Sequence, residues 1–217
     1  MTRTRAAERS RTGHARRCRG DQGSALIETT LAVPIVVVIV TGIVDFGVLY
    51  QRATIAYGAT QAAVRTAASS GAARAADYLA LRSFTTAFTS ATGVTLKKIV
   101  IFKPQAEGSS SPISTTCFTS DTPSTSGKCN VYSGAAAAAI GTSYTTHFGP
   151  DGSSCGSTAW DRNWCPLTRL DQPDTPTDWL GVYVELSYQS VTGFWLRSGF
   201  SFTDRAVMRI EPKPAAS

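Results

Sequence analysis

Hydrophobic and polar positions divide the chain into a polar head, one long apolar run and a patterned remainder. Ser24 to Tyr50 is apolar nearly throughout, and Glu28 and Asp45 are its only charges, with 16 uncharged residues between them. The core of the run, VPIVVVIV, does not alternate and offers no polar face, which separates it from an amphipathic or soluble buried helix. At about 1.5 Å per residue, those 16 residues cover roughly 24 Å of a hydrocarbon core about 30 Å thick. The whole segment reaches about 40 Å, so it spans a bilayer if its two acids lie near the interfaces or find partners.

Beyond the run, Gln51 to Ser70 is alanine-rich with Ile55, Ala59, Ala62 and Ala63 at helical spacing, and extends the helix. Gly71 interrupts it. A second helix is predicted over 72–91 from the stripe Tyr78, Leu79, Leu81, Phe84 and Phe88, with Gly93 ending it. Val94 to Phe102 reads as a strand stopped by Pro104. Residues 105–130 are a Ser/Thr/Gly/Pro-rich loop, and AAAAAI predicts a short helix within Asn130 to Gly141. After a second polar stretch, 142–178, two more strands follow. One is Trp179 to Val191, with Val182, Val184, Leu186 and Tyr188 on one side. The other is Phe200 to Ile210, ended by Pro212. Their short connection suits a hairpin. The predicted class is α+β: a long N-terminal transmembrane helix continuing into an outer domain with a three-stranded antiparallel sheet.

Charge adds direction. The chain has 217 residues and a net charge of +6, but residues 1–23 hold seven arginines against Glu8 and Asp21, a net +5. Residues 24–217 are close to neutral. A nucleic-acid binder would spread its positive charge over a folded face, so nucleic acid is excluded as a partner. The arginines instead flank the apolar run, and the positive-inside rule places 1–23 in the cytoplasm and 51–217 outside a plasma membrane. A cleaved secretory signal would have a shorter apolar region and a small-x-small site after it, neither of which is present.

Cysteine placement fits that topology. Cys18 lies in the leader; Cys117, Cys129, Cys155 and Cys165 lie in the outer part, where two disulfides can form. Three connectivities are open. The local pairs Cys117–Cys129 and Cys155–Cys165 are favoured, because each closes a short polar loop at small entropic cost. Spacings of 11 and 9 intervening residues do not suit zinc.

The junction of leader and helix carries the most specific signal. Gly23-Ser-Ala-Leu-Ile-Glu28 is a G-x-x-x-x-E motif between an arginine-rich stretch and a membrane segment. Gly23 gives a peptidase an unhindered backbone at the cytoplasmic interface. Cleavage there would free an amine on Ser24, and Glu28, costly if unpaired at the apolar edge, could pair with the amine of a neighbouring subunit. Asp45, near the outer end, is read either as an interfacial acid or as a helix-to-helix contact with a partner. Gly23 to Pro34, followed by the apolar run and Gly42-Ile-Val-Asp45-Phe-Gly47, resembles the TadE-like family, pseudopilins of the tight-adherence (Tad/Flp, type IVb) pilus system. Trp179 to Tyr188 and Asp204 to Pro212 also resemble actinobacterial members. The resemblance implies a prepilin peptidase cutting after Gly23, and a minor pseudopilin supporting pilus assembly with other pilin-like subunits and the assembly machinery.

Catalytic signals are thin. Gly152-Ser-Ser154-Cys-Gly156 matches G-x-S-x-G but lacks the strand and helix a nucleophile elbow needs. His147 is the one histidine outside the leader, where His14 lies. No enzymatic activity, cofactor or metal is therefore expected. The competing reading is a membrane-anchored binding or adhesion module without a pilus role, its surface formed by the loops of 104–178.

Overall fold

The structure, a computed structural model, describes residues 21–89, 91, 93–105, 113–118, 127–141, 147–148, 155–156, 158–174, 176–193 and 199–213, with side chains from Ala25 onward. Most of the leader, with Cys18 and His14, and Gly152 to Ser154 lie outside the described residues. The chain divides into two units, residues up to Gly42 and Ile43–Ser217.

The first unit is the N-terminal part of α1 (Asp21–Ser70), a helix of 50 residues with Pro34 inside it. Its apolar side chains face outward: Leu26, Ile27, Leu31, Ile35 and Ile39 are all exposed. The Thr29 and Thr30 hydroxyls donate back to the carbonyls of Ala25 and Leu26, both at 2.7 Å. A polar side chain that satisfies itself against its own helix needs no water, which suits hydrocarbon.

In the second unit, α1 presents a narrow stripe of small residues. Ala56, Ala59, Thr60, Ala63, Val64 and Ala67 recur at the spacing of one helical face and are fully buried. Small side chains let the sheet approach the helix closely. At Gly71, with φ +55°, the chain turns out of the helix, a conformation that favours glycine. The last carbonyls of α1 find donors elsewhere: Glu211 N–H bonds Ala68 O at 3.1 Å and Lys213 Nζ bonds Ser70 O at 3.0 Å. Next comes α2 (Ala76–Phe88), shorter than the 72–91 predicted, which buries Tyr78, Leu81 and Phe84.

The sheet corrects the sequence reading. It has four strands, β1 (Val94–Phe102), β2 (Cys129–Ser133), β3 (Trp179–Tyr188) and β4 (Phe200–Arg209), in the order β2-β1-β3-β4 with every neighbour antiparallel. The unpredicted strand, β2, is five residues long and falls where the end of a loop and the start of a helix were expected. Its sequence, CNVYS, is too short to display a period; it is a strand because β1 offers it an edge. The predicted helix shrinks to α4 (Gly134–Ala138), capped by Ser133 Oγ, which accepts from Ala136 N–H at 3.1 Å. A single turn, α3 (Thr115–Phe118), precedes β2, and two 3-10 turns, Arg162–Trp164 and Pro166–Thr168, lie before β3.

Strand alternation sorts the core. Ile99, Ile101, Tyr132, Leu180, Val182, Val184 and Leu186 share one face and pack with α1 and α2 residues. Val100 and Phe102 point the other way and pack with Cys117 and Cys129. Phe102 lies opposite Gly181, and a Cβ at position 181 would overlap its ring. Gly181→Ala should therefore cost about 1–3 kcal/mol of stability by overpacking, read from denaturant unfolding of the detergent-solubilised chain. An unchanged midpoint would mean that the ring relocates freely.

Candidate functional site

Helix, loop and sheet residues meet at two polar centres, one on α1 and one beside α2. On α1, the G-x-x-x-x-E motif lies entirely on helical backbone, since the helix starts at Asp21. Gly23 and Ser24 occupy its first turn, and Glu28 is exposed one turn on. Among the described residues no ion pair involves Glu28.

Asp45 has a different setting from either one expected. It is fully buried, and its partners belong to its own chain. Ser190 Oγ donates to Oδ2 at 2.7 Å, Thr192 N–H donates to Oδ1 at 3.1 Å, and the Thr192 hydroxyl donates to Oδ2. All three donors come from the loop after β3. Both carboxylate oxygens are occupied, so the acid holds the domain's own loop against the helix.

The second centre has no counterpart in the sequence reading. Asp77, in the first turn of α2, is buried among three donors. Arg169 Nη2 reaches Oδ1 at 2.6 Å; Asn130 Nδ2 and the Tyr132 hydroxyl reach Oδ2 at 2.8 and 2.7 Å. Asn130 also binds the Trp164 backbone in both directions, accepting from its N–H at 2.8 Å and donating to its carbonyl at 2.9 Å. The Arg169 guanidinium lies 4.2 Å over the Trp164 ring. Burial and the Asp77 charge push the Tyr132 hydroxyl well above its usual range, which keeps it a donor. Two segments distant in sequence, β2 and the stretch from Trp164 to Arg169, are thus tied to one carboxylate. A sequence signal existed, an acid within an otherwise apolar helix face, but nothing in the sequence named its partners.

The four cysteines after α2 form Cys117–Cys129 and Cys155–Cys165. The first staples α3 to β2; the second closes the loop leading to Trp164. His147 stacks on Trp160 with ring centroids 3.9 Å apart. Beside them Asp161 is buried and raised to about 6, by desolvation first and then by the charge of Asp77. Among the described residues no group of histidine, cysteine and acidic side chains could hold a metal.

Residues 23–76 match the model of the TadE-like protein family. This segment is TadE-like. The match runs from the motif glycine through α1 to the first residue of α2 and covers about a quarter of the chain; the C-terminal strands lie outside it. No curated protein and no solved structure matches. A TadE-like segment points to a Tad pilus-associated protein and to membrane association. One N-terminal apolar helix fits a single-pass membrane protein.

Removing one partner of a buried ion pair strands the other charge, so Asp77→Ala should cost about 3–5 kcal/mol. The double variant Asp77→Leu/Arg169→Met should lose less than the sum of the single changes, measured by a denaturation cycle. Strict additivity would show that the pair is not coupled.

Asp161 gives a pH dependence. Its ordinary value is 3.8 and its folded value about 6. The folded state therefore holds the proton more tightly, and the stability this contributes is full below about pH 4 and lost as pH rises through about 6. Asp161→Asn should flatten this part of the decline in melting temperature between those pH values. An identical slope in the variant would assign the dependence to other groups.

Proposed function

We propose that the chain is a TadE-like minor pseudopilin that supports assembly of a tight-adherence pilus, a structural protein and not an enzyme. The observation that carries this reading is the Gly23–Glu28 motif at the head of one continuous helix, inside the TadE-like match. In this reading residues 1–23 are a cytoplasmic leader that a prepilin peptidase removes after Gly23. Residues 24–50 cross the plasma membrane, and 51–217 form the outer domain. Two disulfides suit an oxidising exterior. Glu28, an exposed acid on an apolar helix surface, is stabilised by the Ser24 amine of an adjacent pilin-like subunit.

The second reading, an anchored binding or adhesion module, rests on an open, mainly apolar groove of about 740 Å³ bordered by Phe88, Val94, Leu96 and Ile140. One host strain separates the two. With Glu28→Ala in place of the native chain, N-terminal sequencing should still return Ser24 and the protein level should hold, while surface pili are lost. A retained leader in the native chain, or normal piliation in the variant, would count against the pseudopilin and favour the module.

A further inference from the structure

The loop that caps Asp45 ties one end of the sheet to the last apolar turns of α1. Ser190 and Thr192 both bond the Asp45 carboxylate, so the loop after β3 lies at the height of that residue along the helix. In the reading above residues 24–50 cross the membrane, so Asp45 lies about 8 Å along the helix from the outer end of the span. Where α1 spans a bilayer up to Tyr50, the loop lies at the outer interface.

The surface around it is apolar where water would favour polar residues. Val191 stands between the two residues that bind Asp45, yet its own side chain is 67% exposed. Phe200, opposite Tyr188 at the same end of the sheet, is 45% exposed and stacks with Phe202. On the turns of α1 that carry Asp45, and facing away from the loop, Ile43, Phe46 and Tyr50 are exposed as well. All five side chains are aliphatic or aromatic, and Tyr50 is of a type enriched at membrane–water interfaces. In the same reading the loop is bonded to Asp45 within the membrane span of α1, residues 24–50, which identifies the occupant of its apolar surface as lipid.

We propose that the β3–β4 end of the domain is a second membrane contact, seated in the outer interface of the bilayer and held at that depth by Asp45. The bond between Asp45 and the loop then has two effects. It neutralises the cost of an acid at the end of the span, and it stops the domain from swinging on its helix. A domain with two attachments to the membrane has a fixed orientation, which an assembly subunit needs in order to present one face to its neighbours.

This inference rests on α1 being the membrane span, and the experiment separates the two. The full chain, with Cys18→Ser to remove the leader thiol, is reconstituted into phosphatidylethanolamine/phosphatidylglycerol vesicles. Single cysteines for spin labelling replace Val191, Phe200, Val37 in the span, or Leu167. Leu167 is exposed and follows Trp164 by three residues, and the Trp164 carbonyl bonds Asn130 near the opposite end of the sheet. Accessibility is measured to oxygen, which partitions into lipid, and to a water-soluble nickel chelate. Labels at 191 and 200 should resemble the one at 37, with an oxygen-to-nickel ratio on the order of threefold above that at 167. Labels at 191 and 200 that match 167, while 37 reports lipid, overturn the second contact and leave the span standing. A label at 37 that reports water overturns the span and this inference with it. Labels at 191 and 200 shielded from both reagents would mean a protein contact and also overturn it.

Discussion

A carboxylate buried as deeply as Asp77 cannot remain charged unless the fold supplies its partners, and those partners come from two other parts of the chain. Arg169 supplies the opposite charge from the polar region before β3, and Asn130 and Tyr132 supply neutral donors from β2. Each is useful only if the others are present. Without Arg169 the charge is unpaired; without Asn130 the Trp164 backbone loses both of its bonds to that side chain. Polar segments of this composition do not bury enough apolar surface to order themselves, so the polar node is what fixes the described residues from Trp164 to Arg169.

Asp45 applies the same logic at the other end of the domain. An acid near the end of an apolar helix is costly in lipid, and the loop after β3 carries three donors to it. The two centres lie toward opposite ends of β3, because Ser190 follows its last residue and Arg169 precedes its first by a short segment. Between them runs the alanine stripe of α1, whose small side chains bring helix and sheet together. The domain is held to its helix by packing along the stripe, by Asp45 at one end and by the bonds from Glu211 and Lys213 to the end of α1 at the other.

Local pattern was readable where one element is apolar throughout or repeats with a single period. The apolar run, the stripe of α2 and the alternation of β1, β3 and β4 all have that property, and β3 and β4 pair as the short connection suggested. It failed at β2, where five residues carry no period and the neighbouring alanines suggested helix. The cysteines fell between these cases. Their spacing favoured the local pairs without excluding the other two connectivities, and the fold brings Cys117 to Cys129 and Cys155 to Cys165. Asp45 was recognised as unusual, but both of its expected settings looked outward, to water or to another subunit.

The sequence by itself determined that there is one long apolar helix, that an arginine-rich stretch and a G-x-x-x-x-E motif stand at its head, and that an α+β region follows. These depend on composition and on the spacing of near neighbours, which a linear pattern records in full. Tertiary structure alone decided which polar side chains meet. Asp77 is 92 residues from Arg169, and Asp45 is 147 from Thr192. A buried charge states that a partner is required, because the solvation it has lost must be replaced. It does not state where along the chain that partner lies.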